Sequence, residues 1–76
     1  MATLAYIGLG SNLAHPRRQL ARALGALRRL PATTLLDVSR NYVTAPQGTA
    51  QAQPDYVNAV AAVRTALSPR ALLRRL

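Results

Sequence analysis

Along residues 3–9 apolar side chains alternate well enough for a strand, with Ala5, Ile7 and Leu9 on one face. The run Gly8-Leu9-Gly10-Ser11-Asn12 breaks that pattern, because glycine admits backbone conformations that other residues avoid. Pro16 suits the first position of a helix. Beyond it Leu20, Leu24 and Leu27 recur at helical spacing, Ala23 and Leu30 widen the stripe, and Pro31 ends it. Residues 34–44 predict a second strand with Leu36, Val38 and Tyr42 on one face, interrupted by Arg40. Residues 45–54, "APQGTAQAQP", predict a loop that is long for a hairpin, a length associated with function or disorder. A third strand covers residues 56–66. Ser68-Pro69 then supplies an N-cap and first turn, and Leu72, Leu73 and Leu76 begin a second helix.

The predicted order is β-α-β-β-α, an α+β class and the ferredoxin-like motif without its last strand. In such folds the helices cover one face of the sheet and leave the other free for a ligand. The third strand decides which face is which. Its small row Val57, Ala59, Ala61 and Val63 suits close helix packing, which turns Tyr56 and Asn58 toward the open side. Asparagine is poor strand material, so its place in "DYVNAV" needs a reason. A carboxamide offers two donors and an acceptor to the edge of a planar heterocycle. A tyrosine ring stacks on the face of such a heterocycle for about 0.5–1.5 kcal/mol beyond area burial. Alternatively, Asn58 satisfies backbone groups of a nearby loop, within Thr44 to Gly48. Taken as bare residues, the two readings stand even.

Composition narrows the setting. With 76 residues the chain is at most one domain, and a chain of this size buries only about 60% of the surface its unfolded form exposes. It has no cysteine, and a single His15 cannot assemble a metal site. The expected compartment is therefore reducing and cytoplasmic. Apolar runs are too short for a membrane span, and no basic region precedes the first of them as in a signal peptide. The formal net charge of +8 invites a nucleic-acid or anionic partner. Yet every basic residue is arginine, spread over both helices and two strands, a pattern that GC-rich coding also produces. Charge alone decides little, and no nucleic-acid or membrane partner is expected.

Gly10-Ser11-Asn12 lies between a strand and a helix, where a phosphate-binding loop would be sought. It matches neither G-x-x-x-x-G-K-[ST] nor G-x-G-x-x-G, and the helix begins several residues later. Read in order, however, "AYIGLGSNL", "SRNYVTAPQG", "QPDYVNAV" and "SPRALLRRL" form a collinear set spanning nearly the whole chain. Together they resemble the N-terminal half of 6-hydroxymethyl-7,8-dihydropterin pyrophosphokinase, a family that moves the pyrophosphate of ATP onto a pterin in folate biosynthesis.

The resemblance implies that residues 1–76 are the N-terminal part of a single ferredoxin-like domain. Thr44, Ala45, Pro46 and Gln47 match positions that line the pterin, Tyr56 the ring that stacks on it, and Asn58 the amide that reads its edge. Ala45 and Gln47 depart from the proline and leucine usual in the family. Gly10, Ser11 and Asn12 match a mobile loop beside the site. The family's Mg2+ ligands, paired aspartates in a "DLDI"-like strand, and its arginine-bearing loop fall after the second helix, as does a second pterin-stacking ring. ATP and Mg2+ are thus implied with ligands outside these residues, and the chain alone is expected to be inactive. A non-catalytic module binding RNA or a partner strand is the alternative, although no RNP-type aromatic segment is present. With one long sheet edge unpaired, the isolated chain is expected to fold poorly or to self-associate.

Overall fold

The computed structural model describes residues 2–48 and 52–76. The chain runs β1 (Thr3–Ser11), α1 (Pro16–Arg28), β2 (Thr33–Val38), β3 (Tyr42–Thr44), β4 (Tyr56–Thr65) and α2 (Pro69–Arg75). The sheet is antiparallel, in the order β1-β4-β2, with β3 also paired to β4. Strand β4 is therefore central. The arrangement is α+β, consistent with a truncated ferredoxin-like fold.

Strand parity sorts the two faces as the pattern predicts. Val57, Ala59, Ala61, Val63 and Thr65 are buried, while Tyr56, Asn58, Val60 and Ala62 between them are only half-buried. On the buried face Leu20 of α1 packs with Val57 and Ala59, and Leu27 packs with Ile7, Ala61 and Val63. Ala5 and Leu9 join from β1. Alanines at 59 and 61 let the helix approach the sheet closely, which is why so few large side chains suffice.

The second predicted strand is corrected in two ways. Its register against β4 shifts between Leu35 and Asp37, a bulge that places an extra residue on β2. Leu35 and Val38 consequently both pack toward the core, whereas Leu36 stays 42% exposed. Tyr42 lies opposite Asn58 on the other face, so Leu36, Val38 and Tyr42 do not share one. The strand also breaks after Val38. There the Ser39 N–H donates to the Val60 carbonyl at 2.8 Å, and the Ser39 Oγ accepts the Val60 N–H at 2.8 Å. A hydroxyl thus completes the ladder where backbone pairing lapses. Arg40 sits in that break rather than on a strand face.

Helix α2 begins as predicted, with Ser68 Oγ accepting the Ala71 N–H and Pro69 in the first turn. It is lightly docked: Leu72 packs against the core, while Leu73 and Leu76 are 75% and 59% exposed. The radius of gyration is 13.8 Å, against about 11 Å for a compact chain of this length.

Among the described residues strand β1 pairs with β4 alone, and its sequence, "TLAYIGLGS", carries no charge, proline or bulge. Such an edge templates pairing with another chain. Residues 1–76 in isolation should therefore sediment as associated species at micromolar concentration, and Leu4→Lys, on the exposed side of β1, should shift them toward monomer. A monomer with a concentration-independent thermal transition would contradict this.

Candidate functional site

The open face of β4 gathers the chain's only aromatic side chains. Tyr6 lies opposite Ala62, Tyr42 opposite Asn58, and Tyr56 opposite Thr44, so all three tyrosines share this face with Asn58. On its other flank Asn58 faces Gly10 of β1.

Asn58 is held from one end. Its Nδ2 donates to Thr44 Oγ1 at 2.9 Å, to the Tyr42 carbonyl at 3.2 Å and, more weakly, to the Tyr56 carbonyl at 3.5 Å. Carbonyl oxygens only accept, so they compel the nitrogen of the carboxamide to face them. The Oδ1 then points the other way, over Gly10, and no donor among the described residues reaches it. The amino end of Asn58 thus secures the β3 segment through the Thr44 hydroxyl and the Tyr42 carbonyl rather than through loop backbone within Thr44–Gly48, and its oxygen lies on the Gly10 side of the sheet.

This geometry pairs a stacking surface with a fixed acceptor, a combination suited to a flat heterocycle that carries N–H donors on its edge. A match to the family model described as 7,8-dihydro-6-hydroxymethylpterin-pyrophosphokinase covers residues 6–76. The chain belongs to this family.

Its relatives agree. The 2-amino-4-hydroxy-6-hydroxymethyldihydropteridine pyrophosphokinase of Pseudomonas aeruginosa is 51% identical over 73 residues, 96% of this chain and 44% of its own. The protein of the same name from Haemophilus influenzae is 53% identical over 72 residues, 95% of this chain and 44% of its own. That of Pseudomonas putida is 48% identical over 73 residues, 96% and 59% respectively. The chain therefore spans roughly half the length of these pyrophosphokinases.

The remaining candidate residues fall around Asn58 in different ways. Thr44 closes β3 and bonds it directly. Ala45 and Gln47 are exposed and Pro46 half-buried in the segment that follows, up to Gly48, which takes the left-handed φ of 68°. Residues 49–51 of the predicted loop lie outside the described residues. Gly10 and Ser11 are the last two residues of β1, paired with Asn58 and Val57, so the structure places them in the sheet and not in a loop. Asn12 follows, and its Nδ2 donates to Gln53 Oε1 at 3.3 Å and to the Pro54 carbonyl at 3.5 Å. That contact ties the end of β1 to the approach to β4.

Tyr42 also lies beside Asn58, a neighbour that the sequence motifs do not single out. The "YVT" alternation carried the signal, because it sets Tyr42 and Thr44 on one face, but only the pairing with β4 brings that face to Asn58.

As for a metal, no group of three or more His, Cys, Asp or Glu is found among the described residues. The chain's only carboxylates are Asp37 and Asp55. Asp37 Oδ1 already accepts the Val38 N–H at 2.8 Å within the bulge. These residues do not fit a paired magnesium site. No helix among the described residues is long and apolar enough to cross a membrane.

Proposed function

We propose that the full-length protein carrying these residues transfers pyrophosphate from ATP to 6-hydroxymethyl-7,8-dihydropterin in folate biosynthesis. Residues 1–76 would form the N-terminal part of its single domain and one wall of its pterin slot. The observation that carries this reading is Asn58, anchored through Nδ2 with its Oδ1 left as an acceptor beside Tyr56. In this account the Tyr56 ring stacks on one face of the pterin, and Asn58 Oδ1 accepts an N–H from its edge. Thr44, Ala45, Pro46 and Gln47 border the same slot. The hydroxymethyl oxygen then attacks the β-phosphorus of ATP, AMP leaves, and the hydroxyl proton passes to solvent. Bound Mg2+ would neutralise phosphate charge, held by residues outside 1–76. A cysteine-free chain using ATP fits a cytoplasmic setting.

The RNA-binding alternative gains one observation, the three tyrosines on a single open face. Family membership and the fixed acceptor favour the pterin.

The test is a pair of titrations. In the full-length protein, Asn58→Ala should weaken pterin binding roughly 10- to 100-fold, the effect of stranding a donor on a desolvated ligand edge. ATP affinity should stay within about twofold, since ATP does not meet this amide. Calorimetry with each ligand separates the two effects. Equal losses for both ligands, or tight binding of single-stranded RNA with no pterin binding, would reject the assignment.

A further inference from the structure

Gly10 sits directly across the β1/β4 ladder from Asn58 on the open face. A Cβ built there would lie 2.8 Å from Asn58 Oδ1, 3.8 Å from its Cγ and 3.9 Å from Tyr56 Cδ2. The first distance is too short for a carbon and an oxygen, while the others are ordinary contacts. The oxygen that collides is the acceptor with no donor among the described residues. Its neighbour Gly8, two residues earlier on the same face, would meet nothing within 4 Å. Gly10 has an ordinary strand backbone rather than a positive φ, so its lack of a side chain serves no conformational need.

We propose that Gly10 is a positioning residue of the pterin slot: its bare backbone leaves the space in which the Asn58 carboxamide presents Oδ1 to the ligand. The inference rests on the pterin reading of Asn58. A methyl at position 10 must push the carboxamide aside. Rotation either breaks the Nδ2 bonds to Thr44 and Tyr42 or turns the oxygen away from the ligand edge. The Tyr56 ring, at contact distance only, keeps its place. Gly10 thus acts through Asn58 and touches no reacting atom.

Gly10→Ala and Gly8→Ala make the same chemical change on the same strand face, so any general effect of alanine on strand β1 appears in both. In the full-length protein Gly10→Ala should weaken pterin binding about tenfold or more. Gly8→Ala should leave it within about twofold, and ATP affinity should hold in both. The deciding measurement is a double-mutant cycle. In an Asn58→Ala background, which removes the oxygen that the methyl would meet, Gly10→Ala should cause no further loss. Additive losses, or equal effects of the two glycine variants, would overturn the proposal. Should Gly10→Ala fail to fold, Gly10→Ala/Asn58→Ala should fold again, and its failure to do so would equally refute the idea. If the unaltered protein binds no pterin at all, the functional reading fails, an outcome distinct from these.

Discussion

Mixed with ATP, Mg2+ and 6-hydroxymethyl-7,8-dihydropterin, residues 1–76 alone should release no AMP above background, whereas the full-length protein should turn over. Pyrophosphoryl transfer depends on holding two substrates in line and on neutralising charge that develops on the phosphates. On the proposed reading these residues contribute to the pterin one stacking ring, Tyr56, and one oriented acceptor, Asn58 Oδ1. The two carboxylates available, Asp37 and Asp55, do not make a magnesium clamp, and Asp37 is occupied within its own bulge. One wall of a slot neither aligns ATP nor compensates its charge. The expected difference is therefore the whole catalytic advantage, on the order of 10⁶-fold or more. A chromatographic assay for AMP over several hours, with pterin added and omitted, measures it. Turnover by the short chain that disappears in Asn58→Ala would mean that these residues hold a complete site after all.

Leu27→Ala should unfold the chain at 25 °C. Leu27 and Val63 are the largest side chains with no accessible surface, and Leu27 joins α1 to Ile7, Ala61 and Val63. Truncating a buried leucine to alanine costs about 2–5 kcal/mol through lost burial and the cavity left behind. Small domains have total stabilities near the lower end of about 5–15 kcal/mol. This core is thinner than most, because alanines occupy its centre and α2 contributes only Leu72. Little remains to absorb the loss. Leu73→Ala is the control: Leu73 is 75% exposed, so its truncation should change stability by less than about 0.5 kcal/mol. Circular dichroism during urea titration, at concentrations low enough to limit association through β1, compares the two. A Leu27→Ala midpoint within error of the Leu73→Ala midpoint would place the core elsewhere.

The orientation of β4 is legible in the sequence. A strand alternates its side chains with a period of two, and one row held only small or β-branched apolar residues. That row had to meet the helix, so Tyr56 and Asn58 had to face away. The same local logic located α1 from its leucine spacing and the start of α2 from Ser68 and Pro69, because a helix stripe and an N-cap depend only on residues a few positions apart. Family resemblance, carried by four segments in order, rested on the sequence as well.

Other features required the partner strands. The shift at Leu35/Asp37 reverses the parity of Asp37 and Val38, and nothing in "TTLLDV" announces the extra residue. The break that follows is stable because Ser39 finds Val60, a residue 21 positions away. Gly10 and Ser11 look like the start of a loop by composition, yet hydrogen bonding to β4 keeps them in the strand. The amide of Asn58 is likewise oriented by oxygens on Tyr42 and Thr44. In the sequence Gly10 and Asn58 are unrelated letters. Only strand pairing brings them face to face, since periodicity is a property of neighbours along the chain while register, bulges and side-chain contacts are set by what lies across the sheet.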